Sequence, residues 1–320
     1  MIARLRWLHR NVLGLNRRTQ QLMLRLNSPQ LVALVDHKAR TKAVLAQRGL
    51  AVPATHARCD RVRELGSLQR AIEQHEEFVL KPARGAGGEG VVVIAGRSGD
   101  RLMRVGGGTL TRRDLLAHAA DILGGAFSLS QTRDEVLVEE RLRTDAALAP
   151  FCPAGVADLR VLVVQGVPLM AMLRLPTRAS GGRANLHVGG IGVGLHLASG
   201  VARHAIWRDR SVARHPDTEQ PLSAVRVSDW RDVLRLAARC YDAVPLGYLG
   251  VDIVIDGRRG PVILELNARP GLSIQLANRC GLRPLLDGLG RALHAERGTT
   301  DVEQRVLLGI AVSEEGNRVR

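Results

Sequence analysis

The sequence predicts an α+β fold, and three stretches carry that expectation. FVLKPARGAGGEGVVVI, residues 78–94, reads as strand, glycine loop, strand. DLRVLVVQGVPLMAMLRL (158–175) and GVDIVIDGRRGPVILELNARPG (250–271) read as hairpins. Helix-periodic segments lie before and between these strands.

Taken in order, the chain opens with MIARLRWLHRNVLGLNRRTQQLMLRLNSP, in which Ile2, Leu5, Leu8 and Val12 recur at helical spacing between arginines. It lacks the long apolar core of a signal peptide. It reads as a helix packed on the main body, with a helix lying on an anionic membrane surface as the alternative. DHKARTKAVLAQR (36–48) reads as a helix capped by Asp36 and stopped by Gly49, with Lys38 and Lys42 on one face. RELGSLQRAIEQHE is a further helix leading to the strand that carries Lys81, and residues 112–123 are another. EVLVEERL is a strand. SGGRANLHVGGIGVG (180–194) reads as too glycine-rich for regular structure. WRDVLRLAARCYDAV is a helix and SEEGNRVR a solvated tail.

Composition narrows the function. The 320 residues suffice for one large core or two to three subdomains, and 45% hydrophobic residues without an 18-residue apolar run indicate a soluble globular chain. Aromatics at 2% disfavour a stacking platform for single-stranded nucleic acid. Cys59, Cys152, Cys240 and Cys280 form no C-x-x-C pair and read as reduced thiols of a cytoplasmic protein. The net charge of +15 suits nucleic acid, a membrane surface or an acidic substrate. Yet Lys38, Lys42 and Lys81 are the chain's lysines, so 43 of the 46 basic residues are arginine. Such a skew reflects base composition, and positions that keep lysine are candidates for needing a slim ammonium.

Gly85, Gly87 and Gly90 satisfy G-x-G-x-x-G, but the dinucleotide motif requires a helix next, and Val91 to Ile94 form a strand. Neither G-x-x-x-x-G-K-[ST] nor the H-R-D and D-F-G pair is present. In the 250–271 hairpin, a four-residue GRRG loop between Asp256 and Pro261 sets Val254 opposite Ile263 and Asp252 opposite Glu265. Val251, Ile253, Ile255, Val262, Leu264 and Leu266 then share a core face, while Asp252, Glu265 and Asn267 share the other. Two facing carboxylates repel by about 3 kcal/mol at ~5 Å and an effective dielectric near 20. They are either solvated acids on an open face or ligands for a divalent cation, Mg²⁺ or Mn²⁺. Glycine loop, lysines and acidic hairpin together fit a nucleoside triphosphate.

At this point the residues resemble the ATP-grasp superfamily, nearest its glutamate-ligase branch. The resemblance covers about Asn27 to Leu282 in eight ordered pieces: DHKARTK, VPATH, FVLKPARGAGGEGVVVI, VLVEERL, DLRVLVV, RANLHVGG, GVDIVI and LELNARPGLS. It implies two α/β subdomains clasping ATP, at 36–135 and 136–290. A helical segment, 1–35, stands in place of a full preceding domain, and a helix and tail follow at 291–320. Lys38 and Lys81 would contact phosphates under the lid glycines Gly85, Gly87, Gly88 and Gly90. Glu140 and Arg141 would flank the adenine, Asp158 the ribose, and Arg183 and Asn185 would face nucleotide and substrate. Asp252, Glu265 and Asn267 would hold magnesium, two ions being expected, with Arg174 and Lys81 at the transferred phosphoryl group. His187 is either a base for the amine or a structural histidine.

The implied activity is an ATP-dependent ligase that joins a carboxylate to an amine through an acyl phosphate. The implied carboxylate is glutamate or another amino acid, and the acceptor an amine on a small molecule, peptide or protein. A homo-oligomer is expected, cytoplasmic or membrane-associated through the N-terminal helix, with no specific nucleic acid. The competing class is a basic, nucleotide-regulated binding protein without ligation.

Overall fold

The structure is a computed structural model describing residues 2–85, 87–128, 132–295 and 301–318. Its strands form two antiparallel sheets. The first contains β1 (Thr55–Cys59), β2 (Phe78–Pro82), β3 (Val92–Ser98), β4 (Arg101–Arg104), β5 (Thr109–Leu110) and β6 (Val136–Glu139), in the order β1-β6-β2-β3-β4-β5. The second contains β7 (Asp158–Val164), β8 (Val167–Leu175), β9 (Ile191–Leu195), β10 (Ala202–Trp207), β11 (Arg210–Ser211), β12 (Tyr248–Asp256) and β13 (Gly260–Asn267), in the order β11-β10-β9-β8-β7-β12-β13. The expected α+β class is the one observed.

Helices Leu65–Gln74 and Arg112–Leu123 cover one face of the first sheet, burying Leu68, Ile72, Leu115 and Ile122 against Phe78, Leu80 and Ile94. Each such side chain contributes roughly 1.5–3 kcal/mol on full burial. Thr111 and Asp114 close the second helix's N-terminus in a capping box. In the second sheet β7 and β8 are buried on both faces. Leu159, Val161 and Val163 meet the Trp230–Ala243 helix side, and Leu162 and Val164 meet the N-terminal segment. The side chains between them on the cleft face are charged, which is what places the site.

The N-terminal segment packs on the body from Leu13 onward: Leu13 and Leu22 are buried in that second core, and Asn27 bonds Tyr248 backbone N–H and C=O, whereas Leu8 of the expected stripe is exposed. The side chains of Ile2 and Leu5 lie outside the described residues, as do the last two residues of the tail. Among the described residues no helix is long and apolar enough to cross a membrane. All four cysteines are unpaired.

Four expectations need correction. Asp36 ends the Pro29–Val35 helix rather than capping the next, which begins at Lys38, and its carboxylate pairs with Arg269. The 180–194 stretch contains β9, fully buried. Its glycines serve close packing: a Cβ on Gly194 would stand 2.2 Å from the Ala277 carbonyl oxygen. The tail is the end of a helix, Val302–Arg318, in which Ser313 is buried. In the β12–β13 hairpin Asp256 pairs with Gly260, one residue earlier than the four-residue loop requires, so Val254 faces Val262 and Ile253 faces Ile263. A bulge at Leu264 then restores Asp252 opposite Glu265. Val262 and Leu264 consequently join Val254 and Leu142 in a separate apolar cluster, away from the core face.

Candidate functional site

A cavity of about 1510 Å³ opens between the two sheets, lined by β2 and β3 on one side and by β8, β12 and β13 on the other. Its charged walls are two clusters, one on each sheet.

The first cluster is built by β2, β6 and the Lys38–Gln47 helix. Alternation in β6 sends Glu139 toward the register partner of Val79, beside Lys81, and the helix lays Lys42 against it. The Lys81 ammonium stands 2.6 Å from Glu139 Oε2, and Lys42 bonds the same oxygen. Glu139 is 1% exposed, and its Oε1 has no partner among the described residues. Two ammoniums thus share one carboxylate in a buried place. Burial and the Lys81 charge push Lys42 down to about 7, against the pull of Glu139. For Lys81, burial alone would lower the pKa, but Glu139 and Glu265 outweigh it and raise it. Lys38, one turn before Lys42, donates to the Gly85 carbonyl and lies 3.4 Å from Glu265 Oε2. All three lysines of the chain therefore stand at this one site.

The second cluster floors the cavity on β7, β8 and β12. Register sets Asp158 opposite Arg174 and Asp252 opposite Arg160. Arg160 grips Asp252 through both carboxylate oxygens, Arg174 bonds Asp158, and Arg174 Nη2 reaches Asp252 Oδ2 at 2.7 Å. The paired guanidiniums outweigh burial and hold Asp252 well below the usual carboxylate range. Burial and the neighbouring Asp252 charge push Asp158 up to about 7, despite Arg174.

The residues expected as metal ligands divide accordingly. Asp252 lies across the ladder from Glu265, but both its oxygens are engaged by arginine and it is 0% exposed. Glu265 is open to the cavity, with Asn267 two residues on and also lining it. Glu265 and Asn267 thus offer oxygens suited to a hard divalent cation, and Asp252 offers one only when a guanidinium lets go. Asp158, expected at the ribose, accepts from Arg174.

The glycine loop spans the cleft. Gly87, Gly88 and Gly90 have positive φ, and the Gly87 carbonyl accepts from Asn185 Nδ2 at 3.4 Å. Arg183 approaches Gly88, while its Nε donates to Ser180. Gly85 bridges to Ser128. Beside the loop, Val79 and Val93 face Leu142, Val156 and Leu264 across an apolar slot in the cavity wall. Glu140 and Arg141 flank this slot. The Glu140 N–H is spent on the Ala54 carbonyl and its carboxylate on Arg258 and Arg259. Arg141 pairs with Glu77. His187 lines the cavity and is exposed.

Glu139 and Arg160 are site residues that the sequence reading passed over. Lysine scarcity flags Lys42 without giving it a role, and the structure pairs it with Glu139. Glu139 and Arg160 become visible only through cross-strand register.

Comparison with known proteins bears on this geometry. A family model described as sugar-transfer associated ATP-grasp matches residues 17–291. No curated protein matches the chain. Among solved structures, the chain is similar to the ATP-grasp ligase PsnB complexed with minimal precursor, at 20% identity and TM-score 0.45, over 83% of this chain and 63% of that one. It is similar to the D-alanine-D-alanine ligase from Coxiella burnetii at 15% identity and TM-score 0.44, over 92% and 62%. It is also similar to the VanG D-Ala:D-Ser ligase from Enterococcus faecalis at 15% identity and TM-score 0.43, over 88% and 62%. The chain thus spans less than two thirds of the length of these proteins.

Proposed function

The chain belongs to the sugar-transfer associated ATP-grasp family, and from that premise we propose that it is an ATP-dependent carboxylate–amine ligase. The observation that carries the reading is the convergence of Lys38 and Lys81 on one cavity, with Lys42 buried behind them on the Glu139 carboxylate that Lys81 shares. A chain that writes arginine at 43 of 46 basic positions has kept its compact ammoniums where a triphosphate would lie.

In this reading the adenine occupies the slot between Val79 and Leu264, and the phosphates run under the glycine loop toward Lys38 and Lys81. A buried, unpartnered Glu139 oxygen near the slot favours an amino group on the base. Glu265 and Asn267 would hold Mg²⁺, which neutralises phosphate oxygens when bound. A substrate carboxylate oxygen attacks the γ-phosphorus, the bond to the β-phosphate oxygen breaks, and ADP leaves. Lys81 and Arg174 stabilise the charge on the transferred group. The amine then attacks the acyl carbon, phosphate departs, and a proton is lost from nitrogen. His187 stands in the cavity wall within the loop that carries Asn185, a suitable place for that proton.

The matching family is described by sugar transfer rather than by glutamate ligation, so amino sugars join amino acids in the acceptor panel. Phosphate release from Mg-ATP is expected only when both a carboxylate and an amine are supplied, with an amide product by mass spectrometry. ATP binding without turnover over the whole panel would favour the nucleotide-regulated binding protein instead.

A further inference from the structure

We infer that the far half of the cavity, beyond Arg174, binds an amphiphile: an apolar body of several carbons carrying an anionic group, either carboxylate or phosphate. The inference rests on the ligase reading for its role, as one of the two substrates joined there. A cavity of about 1510 Å³ exceeds the usual ~300–1,000 Å³ of a single-ligand pocket. The nucleotide accounts for the end between the apolar slot and Lys38.

The other end changes character. Two residues along β8 from Arg174 the lining becomes Met172, and β10 contributes Ile206. Above them stand Trp7, Leu8, Leu15 and Leu276, exposed by 45, 41, 63 and 51%. With Val91 these make five of the nine exposed large apolar side chains among the described residues, gathered on one cavity. A patch of that kind marks a binding surface.

The wall is built rather than leaning. Gln275, itself buried, accepts from the Leu13 N–H at 2.9 Å and donates to the Leu13 carbonyl at 3.1 Å. Gly281 lies so close to the preceding turn that a Cβ would stand 2.1 Å from the Asn11 carbonyl oxygen. Residues 11–18 are thus clamped against the helix Ser273–Asn278 and the chain on either side of it.

Cations complete the chemistry. The Arg279 guanidinium lines this end and has no hydrogen-bond or ion-pair partner among the described residues. Arg18 spends one nitrogen on the Pro270 carbonyl at 3.2 Å, and its Nε is buried without a partner. Asp209 is the acid on the lining there. Unpaired guanidiniums beside an apolar trough fit an anion attached to hydrocarbon.

The test is calorimetric titration of the full chain, saturated with Mg²⁺ and a non-hydrolysable ATP analogue. The probes are n-alkyl carboxylates of two to ten carbons, the matching alkyl phosphates and the matching alcohols. Affinity should rise about fourfold per methylene until the trough fills, and the anions should exceed the alcohols at least tenfold. Which anion binds tighter identifies its class. Leu276→Asp, and independently Leu15→Asp, should flatten the chain-length dependence, while Arg279→Ala should remove the preference for anions and keep that dependence. Binding that is flat in chain length, equal for alcohols, or unchanged in these variants overturns the inference. Amide formation with flat binding would overturn it and leave the ligase reading intact; graded binding without any turnover would do the reverse.

Discussion

The two buried charge clusters that wall the cavity are balanced differently. On the first sheet Lys42 and Lys81 share the one carboxylate of Glu139, leaving positive charge in excess. On the second sheet two guanidiniums meet two carboxylates in a closed ladder from Asp158 to Arg160. Burial of charge is costly in both places, and only complete pairing offsets it. The unbalanced cluster is therefore the one awaiting an anion, and the balanced one is the frame against which that anion is set.

The largest effect expected from breaking this contrast is on chemistry. Lys81→Met should lower turnover about a thousandfold, ~4 kcal/mol of transition-state stabilisation, by removing a donor aimed at the phosphates. Because Lys42 still pairs with Glu139 and is relieved of the Lys81 charge that disfavours its own, the variant should melt close to the parent. Phosphate release and thermal unfolding measured on the same preparation check both halves. A variant that retains activity removes the phosphate role of Lys81.

The opposite profile is expected on the second sheet. Arg160→Met leaves Asp252 with Arg174 alone and should cost about 3 kcal/mol of stability, since it strands part of a buried ion pair. Urea unfolding measures it. Asp252→Leu together with Arg160→Met should recover most of the loss, because both charges are then gone. A double variant as unstable as the single one would mean that packing, not pairing, sets the cost.

This difference explains which parts of the site were legible in the sequence. Glu265, Asn267 and the lysines follow from alternation, lysine scarcity and ordered motifs. The Asp252–Glu265 pairing was read correctly for a partly wrong reason, since an early turn and a later bulge cancel. The hairpin at 158–175 lies where its pattern puts it, around the Gln165–Gly166 turn with both φ values positive. The arginine ladder was not legible, because Asp158, Arg160, Arg174 and Asp252 meet only through the register of three strands. Nor was β9, where glycine signals a helix pressed onto a strand rather than a flexible loop.

A smaller effect should sharpen the first cluster. Lys42 has its pKa lowered from the ordinary lysine value of 10.5 to about 7, so between those values the unfolded chain binds the extra proton. Stability should therefore rise with pH across that window, by at most ~1.4 kcal/mol per unit, and be lowest at or below pH 7. Lys42→Met should remove the rise, as urea midpoints at pH 6.5, 8 and 9.5 would reveal. An unchanged slope would assign the proton to another group. Saturating ATP should also flatten the slope in the parent, since bound phosphate keeps both ammoniums charged.

The smallest effect is expected where an ion pair lies at the rim of the same cleft. Arg269 bonds both oxygens of Asp36 at 2.6 Å, joining the end of the Pro29–Val35 helix to the residues after β13. Its geometry is as good as that in either cluster, but both side chains are nearly half exposed. Water and salt screen such a pair, so Asp36→Asn should cost less than ~1 kcal/mol and less still at 0.5 M salt, where the screening length is only several ångströms. Equal losses at ~0.05 and ~0.5 M salt would show that the aspartate acts through its hydrogen bonds rather than its charge. The bidentate contact would then be holding the cleft's edge in place, with a strength set by geometry and not by burial.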